Sequence, residues 1–380
     1  MDVSRGAPLA PHTTLGVGGR ADVLVRTESA AELPAALEVA AAEGGPVTLL
    51  GSGSNVVVSD QGLRGTTVLL RGGGIRDVRS ERDGSTLVRI DGGMDWDAFV
   101  AWAVAHDLGG VELLSGIPGT VGAAPVQNIA AYGQSLDETL VGVVAVERTT
   151  GRVVSLGAAE CGLAYRDSRF KGDWLDRFAI TEVTLRLAPS TRTGISYRDL
   201  ELYFAERGDV TSLGDRREAV LAVRRAKSMV RDAGDPLSRS AGSFFISPRL
   251  PREDATVLVE RVRGPGAAEK LFSWYAGPGT GEVKVPAALV LLAAGFSNGD
   301  RWGDVGLSPR HVLAIVNHGG ATAQEISDVA AHIRATVAVE TGVELECEPR
   351  FLGSFRPFDA DSFASVRYVA GSTGTPSWAR

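Results

Sequence analysis

The sequence predicts a mixed α/β protein in two or three domains, and three observations carry that reading. The chain has 380 residues, against a common domain size of about 150. Short β-branched runs bounded by glycine or acidic turns alternate with runs whose apolar residues recur at helical spacing. Hydrophobic residues make up 44% of the chain, enough to fill large cores.

The elements follow in order. Ser29 with Glu32 three residues on has the form of a capping box, opening an alanine-rich helix that ends at Gly44 and Gly45. VTLL (47 to 50), VVV (56 to 58), TTVLLR (66 to 71) and TLVRID (86 to 91) predict strands. Trp96, Phe99, Val100, Ala103 and Val104 are spaced for a helix over 95 to 107, packed on that sheet. VGVVAVER (141 to 148), RVVSL (152 to 156) and AITEVTLRL (179 to 187) return to the strand pattern. APSTRTG (188 to 194) reads as a linker, followed by Tyr197, a basic helix near 215 to 230 and the glycine-rich SAGSFFISP. A second flexible stretch, YAGPGTGE (275 to 282), precedes the apolar run VPAALVLLAAGF. Thr322 and Glu325 repeat the capping-box pattern, and Ile326, Val329, Ala330, Ile333 and Val337 form a buried stripe that Gly342 stops. VELECEPRFLG resumes as a strand, and the final AGSTGTPSWAR has the composition of a disordered tail. There is no internal repeat.

Composition also excludes. A formal net charge of -7 argues against a general nucleic-acid binder. Cys161 and Cys347 have no partner at a metal-ligand spacing, so they read as reduced packing residues, with neither a metal site nor a disulfide framework. The amino terminus lacks the apolar run of a secretory signal and no other stretch reads as a membrane helix, which makes a cytoplasmic protein the expectation.

Two segments stand out as chemistry. Residues 113 to 136, LLSGIPGTVGAAPVQNIAAYGQSL, contain no charged side chain, yet hold two prolines, four glycines and the polar Gln127, Asn128 and Tyr132. Prolines and glycines at that density would strand backbone polar groups in lipid, so the stretch reads as a ligand wall or a buried turn-rich core segment. LLGSGSNVVVSD (49 to 60) begins like a dinucleotide fingerprint, but Val56 stands at the third glycine and β-like residues follow where a helix is needed. Such a turn can still hold phosphate on successive backbone amides, or be a plain hairpin.

Six blocks in order, HTTLGVGG (12 to 19), LGSGSNVVVSD, SGIPGTVGAAPVQNIAAYG (115 to 133), YRDSRFK (165 to 171), SAGSFF (240 to 245) and LECEPRFLG (345 to 353), resemble the UDP-N-acetylenolpyruvoylglucosamine reductases, flavoenzymes of peptidoglycan precursor synthesis. The resemblance implies an α+β fold. An FAD-binding domain of the vanillyl-alcohol oxidase type would occupy 8 to 190, in two subdomains divided near 72. A smaller α/β substrate-binding domain would follow at 195 to 345, then a strand at 346 to 356 returning to the flavin side and an extension at 357 to 380, partly disordered. It further implies non-covalent FAD, NADPH as reductant, a UDP-sugar enolpyruvyl ether as substrate, and a monomer without nucleic-acid or membrane partners.

The same resemblance implies roles for residues. Ser243 would protonate the enol, while Arg166 and Glu348 polarise the substrate carboxylate and stabilise the enol. Gly51, Ser52, Gly53, Ser54, Asn55 and Val56, with Pro118, Gly119, Gly122, Gln127, Asn128 and Tyr132, would hold FAD. Tyr197, Lys227, Tyr275 and Lys284 would hold the substrate. On residue type alone, Ser243 could instead cap a turn, Arg166 pair with Asp167, and Glu348 belong to an acidic edge with Glu344 and Glu346. The arginines of the basic helix could meet a diphosphate or form a solvated face. His311 and His318 read as structural. Three residues depart from the family pattern: Ala130 for a glycine, Ser247 for an asparagine, and Leu292 for an acidic residue. A flavin oxidase of the same fold, or a non-catalytic flavin- or nucleotide-binding relative, are the other readings.

The flavin-facing segments contain no His or Cys to tether a flavin. Acid precipitation of the yellow protein is therefore expected to leave all colour in the supernatant, and colour in the pellet refutes it.

Overall fold

Two sheets carry the amino-terminal half, each made of strands cut to length by glycine turns. The computed structural model describes residues 1–189, 197–205, 212–268 and 281–371. The chain falls into two units: Met1–His12, Gly19–Ser54 and Gly62–Arg231 form the first, and Thr13–Gly18, Asn55–Gln61 and Asp232–Arg380 the second.

In the first unit, one sheet runs in the order Asp2–Pro8, Arg20–Arg26, Leu63–Leu69, Val47–Leu50. Its first pair is antiparallel and the others are parallel. Helix Leu33–Glu43 lies against it, burying Leu33 and Ala36 with Val23, Val25 and Val68. The second sheet is antiparallel, in the order Val153–Gly157, Leu140–Glu147, Phe178–Leu187, Thr86–Asp91, Ile75–Ser80. Helix Trp96–Ala105 packs on it through Trp96, Phe99, Val100 and Ala103, with Asp95 capping Ala98 N at 2.9 Å.

The expected capping box at Ser29 does not form. Ala30 N instead donates to Asp91 Oδ1 at 3.0 Å, and Glu32 Oε2 accepts from Glu28 N at 3.0 Å. A 3-10 turn, Ala30–Glu32, opens the segment, and the α-helix starts at Leu33. The Glu32 amide bonds the Ser29 carbonyl at 3.2 Å in that turn, so the Ser29 hydroxyl does not cap it.

The division between units falls after Arg231, not near 190. Helix Leu213–Ala226 belongs to the first unit because two of its arginines pair there. Arg216 meets Glu112 at 3.4 Å with both side chains buried, and Arg217 grips Asp97 with two bonds of 2.6 and 2.8 Å. Val220 and Ala219 add an apolar patch on Leu113 and Leu200. Most of the expected linker, 190 to 194, lies outside the described residues.

The second unit is built on an antiparallel sheet in the order Ser240–Ser243, His311–Asn317, Val305–Ser308, Arg301–Trp302, Tyr368–Val369. Helices Arg252–Arg263, Ala287–Ala293 and Ala323–Thr341 cover it around Phe244, Phe245, Leu289, Ile315, Ile326 and Ile333. Here the capping box is present, with Thr322 Oγ1 and Glu325 N 3.2 Å apart, and Gly342 ends the helix at φ 71. Of the expected strand VELECEPRFLG, only Arg350–Leu352 is regular, and it pairs in parallel with Val56–Val58. The extension after 355 is ordered through the short helix Ala360–Phe363 and the edge strand Tyr368–Val369. Residues 372 to 380 of the expected tail lie outside the description.

Gly122 shows how tightly the first unit packs: a Cβ there would lie 2.8 Å from the Ile180 carbonyl oxygen and 3.0 Å from that of Gly92. Gly122→Ala is expected to cost about 1–3 kcal/mol, read as a lower thermal midpoint. Gly74→Ala, whose Cβ meets nothing within 4 Å, is the control. Equal midpoints for the two variants refute the packing account.

Candidate active site

In the first unit, the turn Gly51–Ser54 and the uncharged stretch face each other. A Cβ on Gly51 would lie 2.8 Å from Thr120 Oγ1, and one on Gly119 would lie 3.8 Å from Ser54 Oγ. Gly53 sits at φ 63, a conformation that glycine adopts without strain. Arg71 fixes the turn from behind, donating from Nε to Gly51 O at 3.1 Å and from its guanidinium to His12 O at 3.2 Å. Burial, and then the charges of Arg231 and Arg26, hold its pKa below the usual arginine value. Ser52 Oγ is buried and has no hydrogen-bond partner among the described residues. An unpaired buried hydroxyl beside glycines where the backbone is closely approached fits a turn completed by the polar groups of a bound dinucleotide.

The polar groups of the uncharged stretch hold the turn that carries Arg166. Asn128 Nδ2 donates to Ala164 O at 3.1 Å while its Oδ1 accepts from Asp137 N at 3.0 Å. Ser168 Oγ donates to Val126 O at 2.5 Å, and Arg166 itself donates to Ala130 O at 3.2 Å. Ala164 and Asp167 exchange backbone hydrogen bonds of 3.0 and 3.2 Å across the turn, leaving Arg166 at φ 54. A non-glycine residue in the left-handed region is uncommon, and such outliers gather at functional sites. Ala130 is not among the positive-φ residues, so its Cβ is accommodated. Pro118 and Gln127 are half-buried.

Tyr132, at φ 52, belongs to a polar cluster with Arg224. Its ring stands edge-on to Tyr197 with centroids 5.0 Å apart. Burial pushes its hydroxyl pKa up, countered by the charge of Arg224 and a hydrogen bond from it. Lys227, at the carboxy-terminal cap of helix Leu213–Ala226, donates to Asp199 Oδ2 at 2.6 Å. Tyr197 and Lys227 both lie in the first unit, although the sequence reading placed them in the substrate domain. Arg216 and Arg217 are committed to Glu112 and Asp97, so they belong to neither a solvated face nor a free diphosphate site.

The second unit brings Ser243 and Glu348 together. Glu348 N donates to Phe244 O at 2.9 Å, Ile246 N to Glu346 O at 2.9 Å, and Phe245 bridges Cys347. Asn55 Nδ2 donates to Glu348 O at 3.1 Å, and Arg350 N to Asn55 O at 3.0 Å. The side chain expected to meet the cofactor therefore secures the Glu348 segment, and Val56 pairs with Arg350. Glu344 and Glu346 are exposed whereas Glu348 is half-buried, which separates it from the acidic edge. His311, read from the sequence as structural, places Nε2 3.3 Å from Ser243 Oγ.

The departures have local explanations. Ser247 Oγ accepts from Ala287 N at 3.2 Å, serving the first turn of helix Ala287–Ala293. Leu292 packs against the apolar core of this unit. Lys284 is half-buried in the strand Glu282–Lys284, and Tyr275 lies outside the described residues. Both cysteines are free, and burial pushes each thiol up to about 11. Among the described residues, no group of three or more His, Cys, Asp and Glu could hold a metal, and no helix is long and apolar enough to cross a membrane.

The glycine turn, the uncharged wall and the two-sheet frame define a flavin-binding protein. Residues 21–157 match the family model described as FAD binding domain. The chain belongs to the UDP-N-acetylenolpyruvoylglucosamine reductase family, whose C-terminal domain model matches residues 235–352. The reductase of that name from Thermobifida fusca is 41% identical over 92% of this chain and 98% of its own length. That from Salinispora arenicola is 40% identical over 90% and 93% respectively. The crystal structure of the Thermus caldophilus reductase, at 24% identity, has the same fold, with a TM-score of 0.62 over 93% of this chain and all of that one.

Removing the Ser52 hydroxyl tests its fit to the cofactor. Ser52→Ala is expected to leave the apoprotein as stable as the parent or slightly more so, since an unpaired buried group is lost. FAD should bind about fivefold more weakly, in line with roughly 1 kcal/mol for one hydrogen bond. Unchanged FAD affinity by fluorescence titration refutes the contact.

Proposed function

We propose that this chain reduces the enolpyruvyl ether of UDP-N-acetylglucosamine to UDP-N-acetylmuramate, a step of peptidoglycan precursor synthesis, with NADPH as reductant. FAD, held by the glycine turn 51–54 and the facing uncharged stretch, would supply the hydride chemistry that links NADPH to the vinylic carbon of the substrate. The observation that carries the reading is the backbone pairing that holds Glu348 against the segment after Ser243, within a chain of this family.

Hydride addition leaves negative charge on the substrate carboxylate as an enol-like intermediate, and the adjacent carbon must take a proton. Ser243 gives that proton. Serine is a weak acid, so its value depends on position and on the field around it. Arg166 holds the carboxylate, a role suited to a guanidinium offering paired donors, and Glu348 stabilises the enol. Lys227 and Tyr197 hold the diphosphate and nucleotide, the lysine exchanging its bond to Asp199 for a phosphate oxygen, with Tyr275 and Lys284 as further contacts.

Gly51, Ser52, Gly53 and Ser54 take the polar part of FAD. Gly119, Pro118, Gln127 and Tyr132 line its other side. Asn128, Gly122, Asn55 and Val56 contribute by holding backbone, since their side chains or their Cα surfaces are already engaged within the protein. The substrates place the enzyme in the cytoplasm, acting as a monomer on small molecules alone.

Ser243→Ala is expected to leave flavin reduction by NADPH within about twofold of the parent. Reoxidation by the enolpyruvyl sugar nucleotide should slow about a hundredfold or more, the range for a lost positioned acid. Stopped-flow absorbance of the flavin reads both, and equal losses in the two half-reactions sink the role. Reoxidation of the parent by air faster than by the sugar nucleotide would point to an oxidase instead.

A further inference from the structure

Ser243 lies on a strand that is irregular where it matters. Ser240 opposes Val316 and Ser243 opposes Ala314, three residues advancing against two, with Gly242 at φ 74 between them. An extra residue in one strand is a β-bulge, which re-aims the side chain that follows. Phe244 N then donates to Leu313 O at 2.8 Å, so pairing resumes directly after Ser243. The result is that Ser243 Oγ meets Nε2 of His311, the first residue of the partner strand, at 3.3 Å. Both residues are half-buried.

A hydroxyl has one proton to give. If Ser243 gave it to His311, none would be directed at the substrate carbon. We infer that His311 is a positioning residue for Ser243, its Nε2–H donating to Oγ; this rests on the reading of Ser243 as the proton donor. The bond fixes the hydroxyl rotor so that its proton points away from the imidazole. It also places a donor on the oxygen that gains negative charge as the proton leaves. In the step, the Ser243 O–H bond breaks and a C–H bond forms at the substrate carbon next to the carboxylate. The enol double bond supplies the electron pair, and the Ser243 oxygen recovers a proton from water.

The test uses the holoenzyme with FAD bound and four variants: Ser243→Ala, His311→Leu, His311→Gln and the double variant Ser243→Ala with His311→Leu. Single-turnover reoxidation by the enolpyruvyl sugar nucleotide is read beside flavin reduction by NADPH. His311→Leu should slow reoxidation about tenfold to a hundredfold while the NADPH step is unchanged. His311→Gln, whose carboxamide can present an N–H at comparable reach, should recover to within about fivefold of the parent. In the Ser243→Ala background, His311→Leu should add less than about threefold, because a residue acting through a hydroxyl has nothing to act on once it is gone. The same loss in both backgrounds, slowing of the NADPH step, or glutamine no better than leucine overturns the inference. If His311→Leu does not fold, His311→Asn replaces it, too short to reach Oγ and expected to be slower than His311→Gln. If Ser243→Ala alone leaves reoxidation unchanged, the proton-donor reading fails and takes this inference with it. A full Ser243→Ala loss with an additive His311 effect overturns this inference only.

Discussion

The pairing of residues 244 to 246 with 346 to 348 brings together segments that lie a hundred residues apart, and the placement of Glu348 depends on it. Phe244 and Phe245 are 0% and 1% exposed, each burial worth roughly 1.5–3 kcal/mol, so the segment just after strand Ser240–Ser243 is locked into the core. Once locked, its carbonyl and amide groups fix where the returning segment can pair. Glu348 comes to rest beside the Ser243 segment, and Arg350–Leu352 continues onto Val56–Val58. Asn55 closes the arrangement by holding the Glu348 carbonyl. Glu348 is thus positioned by backbone bonds that do not depend on residue type, together with the aromatic pair and Asn55, which do.

The first unit solves the opposite problem, holding a charged residue with an uncharged segment. Arg166 sits in a turn tied to the stretch at three points, through Asn128 to Ala164, Ser168 to Val126 and Arg166 to Ala130. The acceptors are backbone carbonyls throughout. Carbonyls hold a guanidinium in place without neutralising it, whereas a carboxylate in the same position would form an ion pair and compete with an anionic ligand. The absence of charge from 113 to 136 therefore means that this segment offers Arg166 a carbonyl acceptor and no carboxylate.

Regular patterns were legible in the sequence and contests between partners were not. The helical spacing from Trp96 and the capping box at Thr322 are local, and the structure has both. The capping box at Ser29 is equally local, yet the Glu32 amide bonds the Ser29 carbonyl in a 3-10 turn and the Glu32 carboxylate takes the Glu28 amide. The unit boundary was misplaced because Glu112 and Asp97 draw the basic helix into the first unit and nothing near Arg216 announces them. His311 carries no motif. Only the register of its strand against the bulge at Gly242 brings it to Ser243, and register across sixty-eight residues is not written in spacing. Ser247 and Leu292, read as departures from the family pattern, serve a helix start and a core.

The role proposed for Ser243 gives a reason for a neutral acid at that position. In the proposed reaction Glu348 stabilises the same enol that Ser243 protonates, so a lysine or imidazolium at position 243 would share the site with a carboxylate and be stabilised before reaction. Stabilising the resting state adds nothing to the rate. A serine hydroxyl forms no such ion pair. It becomes charged only as its proton leaves, and a donor such as His311 Nε2 strengthens its bond at that moment and not before. The weakness of serine as an acid is then the reason for its company: the group is chosen for neutrality at rest, and the strand pairing and the bulge provide the neighbour that makes the neutral group effective.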